Sequence, residues 1–128
     1  MTNAPGSHNF PPVALLRKAG VTVFSGSDNI RDSWWPYGDG DMLRRAEIIG
    51  YRSGFYTDDE LAAAFDVVTA AGAKALRLEG YGLQLGSKAD FLTLPAEHIP
   101  QAVVSVPKGR KVFKSGKLVA EDGVVIRK

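Results

Sequence analysis

The chain contains no cysteine. That excludes disulfide frameworks, cysteine nucleophiles, thiolate zinc sites and iron–sulfur ligation. It also excludes the deaminase class that holds zinc through a Pro-Cys-x-x-Cys signature. Histidine is nearly as scarce, with two in 128 residues, too few for a self-contained His-rich metal centre. An excess of one charge is missing too. The 16 Lys and Arg stand against 14 Asp and Glu, a net +2, so no nucleic-acid partner is expected. The longest apolar stretch, 61–78, is interrupted by Asp66, Lys74 and Arg77, whereas a membrane-spanning helix needs about 20 apolar residues. The first twelve residues lack the basic and apolar regions of a signal peptide. These absences predict a soluble cytoplasmic chain with no membrane partner.

What is present reads as one small domain of ordinary apolar content, 45%. Pro11 and Pro12 suit the opening turn of a helix over 13–19, and Gly20 suits its end. Residues 21–24, Val-Thr-Val-Phe, form a β-branched and aromatic run that predicts a strand buried on both faces. A long loop follows over 25–40. Asp41 is placed to cap a helix over 42–50. Thr57 and Glu60 have capping-box spacing, opening a helix that presents Leu61, Phe65 and Val68 on one face and runs to Gly72. A shorter helix is expected over 73–78.

After Glu79 the pattern becomes strand-like. Candidates are 91–94, 102–106, 111–114, 117–120 and 124–126, with hairpin turns at Ser115-Gly116 and Asp122-Gly123. Helices followed by strands predict an α/β chain. The layout is awkward for an independent domain, because the run 21–24 has no second parallel-type strand near it. The late strands suit either a small sheet of their own or the completion of one begun elsewhere.

The segment with chemical potential is the 25–40 loop. A carboxylate just past the end of a parallel strand sits where α/β folds place ligands. Asp28 there can hold a metal or take a proton from a bound water, and it can equally be a turn residue. Asn29 offers both a donor and an acceptor. Trp34 and Trp35 offer flat faces for a planar ring or for packing. Asp32 reads as a turn or helix-start residue and Arg31 as a solvated charge.

The run Gly26-Ser-Asp-Asn-Ile-Arg-Asp-Ser-Trp-Trp-Pro-Tyr-Gly38 resembles the segment at the eighth strand of the amidohydrolase superfamily, closest to its cytosine deaminase branch. Residues 81–92 resemble that family's re-entry into a small β-sandwich, and residues 111–119 its closing hairpin. Order and spacing agree over about residues 11 to 120. The resemblance implies a C-terminal portion of a larger enzyme. Residues 1–79 would be the last part of a metal-dependent (β/α)8 barrel, holding its last helix–strand unit and trailing helices. Residues 80–128 would be strands of the β-sandwich.

The implied parent reaction is hydrolytic deamination of a small cytosine-like heterocycle with a divalent metal, zinc or iron. By position, Asp28 would be both metal ligand and the group that manages the proton of the attacking water. Asn29 and Trp34 would contact the ring. An Asp is typical at the position of Asn29, and the amide can donate where a carboxylate only accepts. Asp90 would be a structural turn residue of the sandwich.

A full barrel takes about 250 residues, and the family's His-x-His pair, further histidines and catalytic Glu have no place here. His8, in the loop preceding the first helix, reads as a solvated loop residue or a substrate contact; His98 reads as surface. The isolated chain is therefore expected to hold no metal and to be inactive or nearly so. Three arrangements follow: a portion of a longer enzyme, a non-catalytic homo-oligomer or binding module, or one half of a split enzyme whose N-terminal portion is a separate chain.

Overall fold

The computed structural model describes residues 10–126; His8 lies outside them. Local capping explains most of the helices. α1 (Val13–Lys18) starts after Pro12 and ends on Ala19 and the left-handed Gly20. α2 (Met42–Ser53) is capped by Asp41, whose carboxylate accepts from the Leu43 N–H, and it runs three residues past the expected end to Gly54. α3 (Asp58–Val67) opens on the complete Thr57–Glu60 capping box. It stops at Val67 rather than Gly72: the Thr69 backbone, at φ −130° and ψ −98°, leaves the helical range, and its hydroxyl donates to the Phe65 carbonyl at 2.8 Å. α4 (Ala70–Ala75) is consequently three residues earlier than the sequence suggests.

The C-terminal strands form one four-stranded antiparallel sheet in sequence order: β1 (Phe91–Thr93), β2 (Lys111–Lys114), β3 (Lys117–Glu121) and β4 (Val124–Val125). The two tight turns predicted from sequence are present. Ser115 and Gly116 both have positive φ, as do Asp122 and Gly123, the conformation that matches a hairpin to strand twist. Asp90 fastens the β1 entry to the first turn by accepting from the Ser115 N–H at 2.7 Å and from the Lys114 ammonium. Phe91 and Phe113 stack across the β1–β2 register with centroids 4.7 Å apart.

Two sequence expectations are overturned. Residues 102–106 are not a strand; 102–105 belong to helix α5 (Ile99–Ser105) and Val106 is its left-handed cap. Pro100 sits in its first turn, the His98 ring accepts from the Gln101 N–H, and Ala102 and Val103 are buried. Burial against helices and a capped start outweigh the β-preference of the two valines. Residues 21–24 are not a strand either. A strand exists only by pairing, and among the described residues nothing pairs with this run. Val21 and Phe24 are each about half exposed, at 50% and 51%, rather than buried on both faces.

The core lies among the helices in two clusters. Val13, Ile49, Phe55, Ala64 and Val67 form one, with Val23 packed against it. Leu43, Ala46, Ala102 and Val103 form the other, covered by Phe65 and Leu94 among others. α5 thus packs on α2 and α3 although it lies among the strands in sequence. No helix among the described residues is long and apolar enough to cross a membrane.

Candidate active-site loop

The 25–40 loop leaves the end of the unpaired run and is tied at its start by the Ser25 N–H, which donates to the Val67 carbonyl at the end of α3 (3.0 Å). Side chains rather than a backbone ladder hold its shape. Asp28 takes a left-handed backbone, φ 48°, which short acidic and amide residues tolerate better than most. One of its oxygens accepts from the Asn29 N–H at 2.8 Å. The other has no hydrogen-bond partner among the described residues, and the residue is exposed.

Asp32 is the hub. Its Oδ1 accepts from the backbone N–H groups of Trp34 and Trp35 at 3.0 and 2.9 Å, and its Oδ2 accepts from the Asn29 side chain at 2.6 Å. The Asn29 amide, followed by the Trp35 N–H, holds the Asp32 carboxyl below the usual carboxylate range. The loop closes where the buried Gly38 meets Asn29: a β-carbon at 38 would stand 2.4 Å from the Asn29 carbonyl oxygen. Only glycine permits that approach.

The structure therefore joins Asn29 and Trp34 through Asp32 and sets Asp28 directly before them. The Trp34 side chain is 85% exposed, so packing within this chain does not account for it. Trp35 differs: the Arg45 guanidinium lies 5.0 Å from its ring centroid, a cation–π distance. Trp35, Tyr37, Gly38 and Arg45 line a cleft of about 270 Å³ at the foot of α2.

Asp41, which also lines the cleft, links the loop to the C-terminal sheet. Arg110 donates to both its oxygens at 2.8 Å, and Asp122 accepts from the Gly109 and Arg110 N–H groups at 2.6 and 2.9 Å. The Arg110 hydrogen bonds hold the Asp41 carboxyl below its ordinary value and raise the guanidinium. Sequence reasoning gave Asp32 its turn role but missed its place as the hub; Asp-x-Trp-Trp spacing at i, i+2, i+3 is the readable signal. It also missed Arg110, 69 positions from Asp41, which no local signal announces.

His98 is exposed, as expected, and caps α5. Among the described residues no group of three or more His, Asp or Glu is placed to hold a metal ion. A single carboxylate such as that of Asp28 could supply at most one ligand, whereas catalytic zinc sites use three protein ligands. The residues described here do not by themselves make a catalytic metal centre.

The amidohydrolase family profile matches residues 1–120. The chain belongs to the amidohydrolase family. Within that family this amidohydrolase chain is 35% identical to the N-isopropylammelide isopropyl amidohydrolase of Pseudomonas sp. strain ADP, over 90% of itself and 29% of that enzyme. It superposes on the crystal structure of N-isopropylammelide isopropylaminohydrolase from Burkholderia multivorans with a TM-score of 0.85 and 42% identity, covering 98% of itself and 32% of that chain. The 5-methylcytosine deaminase of Klebsiella pneumoniae, solved with 5-fluorocytosine, matches at TM-score 0.76 and 30% identity over 95% of this chain and 31% of that one. The amidohydrolase chain thus spans about a third of the length of these relatives.

Proposed function

We propose that this chain is the C-terminal portion of a metal-dependent amidohydrolase that removes an amino substituent from a small nitrogen heterocycle. One observation carries the reading: 98% of the chain superposes on 32% of an aminohydrolase at 42% identity. In this reading residues 1–79 are the end of the catalytic barrel and residues 80–128 the β-sandwich strands. Asp28 contributes one ligand to a zinc or iron site whose other ligands come from the rest of the enzyme. Its second oxygen, without a hydrogen-bond partner among the described residues, is the group placed to take the proton of the attacking water and pass it on.

Asn29 and Trp34 seat the ring. The Asn29 side-chain N–H donates to Asp32, which leaves its carbonyl to accept from a donor on the ring, and the exposed Trp34 offers a stacking face. A cytosine-like ring is the substrate class the loop suggests. The higher identity to the two N-isopropylammelide enzymes, 35% and 42% against 30% for the deaminase, favours a second ring type bearing an alkylamino group.

Alone, the chain turns over neither substrate with zinc or iron(II), since one carboxylate does not hold the metal. The reading is tested by fusing the full 128-residue chain to the remaining N-terminal portion of the Burkholderia enzyme. The fusion is expected to release isopropylamine from N-isopropylammelide or ammonia from cytosine, and Asp28→Asn to abolish that release. A folded, metal-loaded fusion with neither activity sinks the reading.

A further inference from the structure

We propose that Asp32 is a positioning residue that sets the polarity of the ring-binding loop, so that Asn29 selects neutral heterocycles offering a ring N–H over rings offering a lone pair at the same place. It rests on the reading above, in which Asn29 and Trp34 seat the ring. Asn29 is held through its backbone and its side chain together. Its backbone N–H donates to Asp28 at 2.8 Å. Its backbone carbonyl meets Gly38 too closely to admit a β-carbon there. Its side-chain nitrogen donates to Asp32 Oδ2 at 2.6 Å. With the backbone fixed, what remains open is which end of the amide faces outward, and the two ends have opposite hydrogen-bonding character.

Asp32 decides it. An ionised carboxylate only accepts, and the Asn29 amide keeps the Asp32 carboxyl below the usual carboxylate range. The Asn29 nitrogen therefore turns towards Asp32 and its oxygen away. A charged acceptor makes that bond stronger than one between neutral groups. The carboxylate is not free to swing aside, because its Oδ1 is engaged by the Trp34 and Trp35 N–H groups at 3.0 and 2.9 Å. The loop thus presents an uncharged acceptor. A carboxylate in the place of Asn29 would accept as well, but it would also favour a protonated, cationic ring. Of the two rings considered above, the dioxo form of N-isopropylammelide has N–H at both ring nitrogens flanked by its carbonyls' edge, whereas cytosine has one ring N–H and one lone pair. The first ring matches the acceptor better.

Two measurements test this. By NMR on the full 128-residue chain, one Asn29 side-chain N–H is expected to exchange with water about tenfold more slowly than in Asp32→Asn. In that variant the new amide can turn its nitrogen to Asn29 and reverse it. Its oxygen still accepts from Trp34 and Trp35, so exchange at those backbone N–H groups is expected to stay as it was. In the fusion with the N-terminal portion of the Burkholderia enzyme, the KM for N-isopropylammelide is compared with the KM or inhibition constant of cytosine. Wild type is expected to favour N-isopropylammelide, and Asp32→Asn to cut that preference about tenfold, through KM more than kcat. Adding Asn29→Asp to Asp32→Asn is expected to restore it, since a carboxylate at 29 accepts whichever group stands at 32. An equal loss on both rings means that Asp32 only holds the turn, and it overturns the proposal. So does a wild-type preference for cytosine, no recovery in the double variant, or Asn29 side-chain exchange that is the same with and without the Asp32 carboxylate. An inactive wild-type fusion with a protected Asn29 amide upholds the polarity of the loop and counts against the catalytic reading. An active fusion with an unprotected amide does the reverse.

Discussion

Residues 21–24 and 102–106 are both short β-branched runs, and their outcomes are opposite. The first is left without a partner, half exposed and outside any sheet. The second is folded into α5 and buries Ala102 and Val103. Local preference is similar in the two, so what decides is the surroundings. Residues 102–106 have a capped start and two helices to pack on. Residues 21–24 have one face covered, through Val23, while Val21 and Phe24 stay about half exposed. β-preference describes fitness for a pleated, half-buried surface, and it is expressed only where that surface is supplied.

The contrast is sharpest for a charge placed in each run. Val103→Asp puts a carboxylate at a position 1% exposed and is expected to cost about 3–5 kcal/mol, enough to unfold much of the population. Phe24→Asp in the isolated chain is expected to change stability by no more than about 0.5 kcal/mol. Urea unfolding of the two variants measures both; equal costs would mean that the two runs are equally buried.

A smaller effect concerns the tie between α2 and the segment after α5. Arg110→Ala is expected to cost about 1 kcal/mol, reduced from the value of a fully buried ion pair because both groups are partly wet. Asp41 titrates below its ordinary 3.8 when folded, so its share of stability is present above that value and lost as pH falls through the depressed one. The gap between wild type and Arg110→Ala should therefore be full near neutral pH and shrink below 3.8. Thermal melts of both proteins across the acid range show this, and a gap independent of pH contradicts it.

The smallest effect is at the helix start. His98 accepts from the Gln101 N–H at 3.2 Å, and His98→Ala is expected to destabilise α5 by about 0.5–1 kcal/mol. Helicity measured by circular dichroism should fall slightly and Val103 amide exchange should quicken.

The same contrast explains what was legible in the sequence. The Thr57–Glu60 box, the Asp41 cap and the Ser115-Gly116 and Asp122-Gly123 turns were readable because each is settled within four residues. The helix over 102–105 was not, because its burial partners, Leu43 and Ala46, are far away in sequence. The loop divides in the same way. Asp32's turn role was visible from its neighbours, whereas the part proposed for Asp28, Asn29 and Trp34 in chemistry rests on likeness to a family and not on spacing. The bidentate Arg110–Asp41 tie lay beyond reach for the same reason as α5.

The order of assembly follows from the sheet. β2, β3 and β4 are joined by two-residue turns, so their pairings close much shorter loops than the contacts between core helices do. Contacts of such short span form on microsecond timescales. The helical core must first bring Val13 to Val67 and Leu43 to Val103, a slower search. The two hairpins therefore pair before the long-range core contacts form, and Val23 gains its neighbours only with that core.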